Sequence, residues 1–99
     1  MVVSNSGRLA TFLRQKRIDA KLSQKEVAES LGYSTPQFVS NWERGLSSPP
    51  LKALKILSAC YHVRLEELYA LIVECTIERV RADLEREFRQ IFRRRAKTR

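Results

Sequence analysis

Two carboxamides four residues apart, Gln37 and Asn41, are the side chains of this sequence best suited to reading another molecule. A side-chain amide offers a donor and an acceptor in one plane, which matches the N6/N7 edge of adenine in two hydrogen bonds. On a helix, positions four apart share a face, so both amides would reach the same surface. Phe38 beside them is an apolar ring that would meet a thymine methyl or else pack partly into the core. Ser40 reads as a support or a phosphate contact. Groups that suit phosphate surround the pair. The backbone N–H groups of Ser23 and Gln24 open the preceding helix, with the Gln24 amide beside them. Arg44, Ser47, Ser48 and Lys52 follow on the other side, where Lys52 fits a merely solvated charge equally well.

Other chemistry finds no support. There is no carboxylate pair in a plausible cleft, no glycine-rich phosphate loop, and no basis for a His-centred triad with His62 as the single histidine. Cys60 and Cys75 lack metal-ligand spacing and sit inside apolar helical patterns, so they read as reduced core thiols. The expectation is a protein that is not an enzyme, holds no metal or cofactor, and takes no small-molecule substrate. Net charge is +8 over 99 residues, which points to a polyanionic partner. The charge is unevenly placed: +4 over residues 1–72, −2 over 73–88, and +6 over 89–99. No run of 18 apolar residues and no apolar leader-like segment near Met1 is present, so neither a membrane span nor a signal peptide is expected. A cytoplasmic, nucleoid-associated location follows from that reading.

The elements that must position these groups read as helices throughout, without strand-like alternation. A first helix spans about Ser6 to Ala20, with Leu9, Phe12, Leu13 and Ala20 inward. Ser23 and Glu26 form a capping box for the second helix, whose inward residues are Val27, Ala28 and Leu31, and which ends at Gly32. Thr35 as cap and Pro36 as first residue open the third, which runs to about Arg44 and stops at Gly45. A fourth helix follows the loop from Leu46 to Pro50, with Leu51, Leu54, Leu57 and Tyr61 inward. From about Leu65 to Arg94 neither Gly nor Pro occurs, which predicts a single helix of about 30 residues. Its first turns, with Leu65, Leu68, Tyr69 and Ile72, would close the domain.

Two short helices joined by a glycine-containing turn, with small Ala28 at their crossing and Val39 and Trp42 anchoring the second, make a helix-turn-helix. The segment resembles the Cro and phage-repressor (xenobiotic-response-element) family. The likeness rests on Arg17, on Leu22-Ser23-Gln24, on Ala28 and Leu31-Gly32, and on the run Ser40-Asn41-Trp42-Glu43-Arg44-Gly45 with Pro49 behind it. Leu51, Leu54 and Leu57 continue it. The turn between Gly32 and Trp42 is one residue longer than is usual there. The resemblance covers about residues 6–72 and implies an all-α, five-helix, repressor-like domain that binds operator DNA as a dimer. It further implies that Gln37 and Asn41 reach base edges, and that Arg17 and Glu43 form a structural ion pair tying the first helix to the third. With them, Ser23, Gln24, Thr35, Pro36, Phe38, Ser40, Arg44, Ser47 and Lys52 make up the candidate DNA-binding set.

The resemblance leaves the C-terminal third unaccounted for. Val73, Ile77, Val80, Leu84, Phe88 and Ile91 recur at helical spacing and form an apolar stripe beyond the domain core. A second copy would cover it most simply, making 73–95 a dimerisation helix and 96–99 a basic tail. The function expected is a sequence-specific, double-stranded DNA-binding regulator, a repressor on an inverted-repeat operator. The alternative is an antitoxin-like module whose last helix grips a different protein. The acidic residues along that helix argue against a membrane surface.

Overall fold

The structure, a computed structural model, describes residues 5–97, with side chains over 7–94. The basic tail expected over 96–99 lies outside the described side chains. Five helices follow one another, α1 (Asn5–Asp19), α2 (Gln24–Ser30), α3 (Gln37–Glu43), α4 (Leu54–Tyr61) and α5 (Leu65–Lys97), with no strand among the described residues. The chain is thus all-α, with its last helix far longer than the rest.

Local chemistry explains where the short helices stop and start. Ser23 Oγ accepts from the Glu26 N–H at 3.0 Å, and the Glu26 carboxylate accepts from the Ser23 N–H at 2.8 Å, which closes the capping box of α2. At its other end Gly32 turns left-handed at φ 81°, and the N–H of Gly32 and Tyr33 donate to the carbonyls of Glu29 and Ala28. Gly45 ends α3 in the same way, its own N–H and that of Leu46 meeting Trp42 and Asn41.

Three expectations need correction. First, α3 begins one residue later than Pro36. That residue has no N–H and serves as the cap, its carbonyl receiving the Ser40 N–H at 2.9 Å. Thr35 reaches past it to accept from the Gln37 N–H at 3.3 Å. Second, α4 starts at Leu54, because Leu51–Ala53 form a single 3-10 turn. That tighter turn directs Ala53 and Leu54 inward and leaves Leu51 64 % exposed. Third, Leu65 and Tyr69 do not close the domain; they are 42 % and 51 % exposed. The face of α5 that packs inward carries Leu68, Ile72 and Cys75 instead.

The core is formed by Leu9 and Leu13 of α1, Val27 and Ala28 of α2, Val39 and Trp42 of α3, Leu54, Leu57 and Tyr61 of α4, and the start of α5. Because Cys75 is 1 % exposed, the buried core runs past residue 72. Arg8 extends the α1–α5 contact at the surface, reaching Glu78 at 3.3 Å and Glu74 at 3.6 Å. Cys75 lies beneath this contact, and burial pushes its thiol pKa up. The other cysteine, Cys60, is half-buried, and both are free thiols.

Beyond Arg79, α5 leaves the domain. At 1.5 Å per residue its 33 residues span about 50 Å, and the chain measures 59 Å in its longest direction. Every described residue from Val80 to Arg94 is exposed.

Candidate nucleic-acid interface

Helix α3 is seven residues long and is held by two inward side chains, Val39 at 1 % and Trp42 at 3 % exposure. Spacings of four and three leave Gln37, Asn41 and, just past the helix end, Arg44 in a row on the opposite side, Gln37 and Arg44 exposed and Asn41 half-buried. The three groups are bonded to one another. Gln37 Nε2 donates to Asn41 Oδ1 at 2.9 Å, and Arg44 Nη2 donates to the same oxygen at 3.0 Å. Asn41 is the hub, and its oxygen serves two donors at once. The row is a ready set of planar hydrogen-bonding groups facing outward.

An ion pair anchors the inner end of this helix. Arg17 Nε donates to Glu43 Oε2 at 2.7 Å and Arg17 Nη2 to Glu43 Oε1 at 3.0 Å, a bidentate pair joining α1 to α3. The side chains are 13 % and 3 % exposed. Arg17 Nη1 also donates to the Leu22 carbonyl at 2.9 Å, so the same guanidinium fixes the connection to α2. The hydrogen bond to Glu43 raises the Arg17 pKa further above its already high value, and the group stays charged. Tyr61 lies in the same electrostatic field. Burial pushes its phenol well above the usual range, and the Glu43 charge adds to the rise.

The start of α2 is less open to phosphate than its sequence suggests. The Ser23 N–H is occupied by Glu26 through the capping box, and that carboxylate places negative charge at the helix end. Gln24 Nε2 donates to Glu43 Oε1 at 3.0 Å, which commits one of its two amide hydrogens within the protein. The reason is general: the groups that cap a helix are the ones an anion would need.

Across the α3 surface, Arg44, Ser47 and Lys52 are exposed, while Ser40 and Ser48 are half-buried. Thr35 and Pro36 are exposed at the entry to α3. Phe38 is 54 % exposed and lies outside the core, its ring centroid 4.9 Å from that of Tyr33. Tyr33 in turn meets Trp42 edge-on at 6.1 Å.

Sequence reasoning missed two residues here. Tyr33 follows the capping Gly32, where an apolar residue commonly packs back on the helix; that signal was available. Arg79 reaches from α5 to Ser48, with Nη1 3.5 Å from Oγ, and links the last helix to the loop after α3. No local pattern announces such a contact.

Among the described residues no cluster of His, Cys, Asp and Glu could hold a metal ion, and no helix is long and apolar enough to cross a membrane. A family model of helix-turn-helix proteins matches residues 13–68, more than half of the chain. No curated protein sequence and no solved structure matches it. The matched span runs from the middle of α1 to the start of α5 and includes the whole Gln37–Asn41–Arg44 row. The chain belongs to the Cro and phage-repressor family of helix-turn-helix proteins and is a DNA-binding transcription regulator.

Proposed function

We propose that this regulator is a repressor that binds an inverted-repeat operator as a homodimer, with α3 of each copy in the major groove. The observation that carries the reading is the bonded row of Gln37, Asn41 and Arg44 on the exposed face of α3. Carboxamides pair with adenine and arginine with guanine in the major groove, and each good bidentate pair contributes about 1–3 kcal/mol of discrimination. On DNA the three would exchange their mutual bonds for bonds to bases. Thr35, Pro36 and Phe38 lie at the end of α3 that enters first. Ser40, Ser47 and Lys52, together with Arg44 where it does not meet a base, supply contacts to the backbone. Such a protein would work on the nucleoid, in the cytoplasm.

The dimer rests on α5. Ile77, Val80, Leu84, Phe88 and Ile91 are each between 49 % and 65 % exposed and lie on the side of α5 away from Leu68, Ile72 and Cys75. Val73 is half-buried at the near end of the stripe. Selection of bound sequences from a random duplex pool tests both claims. An inverted repeat with half-sites about one helical turn apart is expected. A single unrepeated site, with monomers in sedimentation, would favour instead a module whose α5 grips a different protein.

A further inference from the structure

We infer that Phe38 reads the 5-methyl group of thymine and that Tyr33 is the residue positioning it for that task. The inference rests on the placement of α3 in the major groove proposed above. An aromatic side chain 54 % exposed on a DNA-facing helix loses apolar surface to water in the free protein, and its place in the fold shows why it stays out. Val39 and Trp42 already fill the inner face of α3 at 1 % and 3 % exposure, and Phe38 falls between that face and the Gln37–Asn41 row. Instead of collapsing inward, its ring rests on Tyr33 with centroids 4.9 Å apart at a tilt of 50°. Tyr33 rests edge-on against Trp42 at 6.1 Å and 67°. Three rings thus form a column from the core to the surface, and Phe38 is its outer end.

The backbone supports the column as well. Tyr33 is the residue after left-handed Gly32, and its N–H donates to the Ala28 carbonyl at 2.9 Å, so the middle ring is held by the end of α2. The turn thereby connects the first helix of the motif to the reading surface of the second. A ring held in this way has little freedom left to lose on binding. The major-groove edges of the bases carry hydrogen-bond donors and acceptors and one methyl, that of thymine. A phenyl ring has no hydrogen bond to offer, so the methyl is the group it complements. Gln37 next to it and Asn41 one turn on would meet adenine, and the expected half-site places a thymine beside their adenine contacts.

The test compares the sequence selected from a random duplex pool with copies in which each thymine in turn is replaced by uracil, which removes the methyl alone. For wild type, one thymine per half-site should weaken binding about three- to fivefold when demethylated, the value of one apolar carbon. Phe38→Ala should bind the thymine and uracil forms equally, with an unchanged far-ultraviolet spectrum. Tyr33→Ala should lose most of the methyl discrimination while still distinguishing adenine from other bases at the Gln37 and Asn41 positions. If Tyr33→Ala melts below the working temperature, Tyr33→Leu keeps an apolar group on Trp42 without a ring for Phe38 and serves the same comparison. Wild type insensitive to demethylation at every thymine would overturn the inference and leave base reading by α3 standing. Methyl discrimination that survives in Phe38→Ala overturns the role of Phe38. Discrimination unchanged in both Tyr33 variants overturns that of Tyr33. Selection that enriches no sequence at all would instead remove the proposed function, and this inference with it.

Discussion

At the scale of single residues, α3 divides its polar groups between holding the fold and, on the proposed reading, contacting bases. Asn41 Oδ1 accepts from both Gln37 and Arg44, so removing it disturbs three candidate contacts, whereas removing Gln37 disturbs one besides its own. Asn41→Ala is therefore expected to weaken binding to the selected operator more than Gln37→Ala. Each should cost about 1–3 kcal/mol there and little on random duplex, as measured by competition titration. Glu43 is a different case, although it lies on the same short helix. Its carboxylate meets Arg17 and Gln24 at 2.7–3.0 Å and is 3 % exposed. Glu43→Ala strands the guanidinium and should lower the unfolding free energy by about 3 kcal/mol, read by urea titration. A variant as stable as wild type would show the pair to be unimportant to the fold. Tyr61 adds a pH signature. Its folded pKa is raised above the unfolded value of about 10, chiefly by burial. The folded state therefore keeps the proton that the unfolded state gives up. That contribution is whole below about pH 10 and is lost as pH rises through the folded value. Melting temperature should fall steeply above about pH 10, and less steeply in Tyr61→Phe.

At the scale of elements, turns and caps decide the motif as much as apolar pattern does. Gly32 has φ 81°, and a Cβ built there meets nothing within 4 Å. The whole penalty of Gly32→Ala is thus conformational, about 1–2 kcal/mol for a left-handed residue. Gly32→Asn should cost less, since Asn tolerates that region, and paired thermal melts would order the three proteins. What was legible in the sequence follows the same division. The Ser23–Glu26 box, the stops at Gly32 and Gly45 and the inward Val39 and Trp42 were readable, because each depends on neighbours a few residues away. Leu51 was misplaced because a 3-10 turn at residues 51–53 shifts the face of α4. The spacing in early α5 admits two apolar faces, which misplaced Leu65 and Tyr69; packing against α1 and α4 selects Leu68, Ile72 and Cys75. That the Ser23 N–H and the Gln24 amide are already bonded within the protein could not be read either. It depends on Glu43, 19 residues beyond Gln24 in the chain, and on whether the cap closes upon itself.

At the scale of the whole molecule, α5 gives the protein two apolar faces of different fate. One face closes the core; the other begins at Val73 and continues along the stretch of α5 beyond Arg79, where every described residue is exposed. Spacings of 3, 4, 4 and 3 from Ile77 to Ile91 match an 11-residue repeat, since both Ile77 to Phe88 and Val80 to Ile91 are 11 apart. Such a repeat keeps paired helices nearly straight or slightly right-handed rather than wound to the left. Phe88 and Phe92 stack with centroids 6.2 Å apart, and Glu85 with Arg89 at 3.7 Å and Asp83 with Arg86 at 2.7 Å brace the exposed side. These surface pairs contribute little individually. Covering the stripe is the larger effect, because a large apolar side chain removed from water contributes about 1.5–3 kcal/mol. Five such residues from each of two copies would outweigh the association cost. On the proposed reading, then, Ile77→Asp combined with Leu84→Asp should give monomers in sedimentation. Both positions are more than half exposed in the single chain, so the helix-turn-helix core should keep its fold and its affinity for a half-site. Affinity for the full inverted repeat should collapse towards that half-site value, because the two reading helices would no longer bind as a unit. A double variant that remains dimeric would move the partner surface elsewhere, and the exposed Leu51, Leu65 and Tyr69, which line one groove between the start of α4 and the start of α5, would be the next residues to substitute.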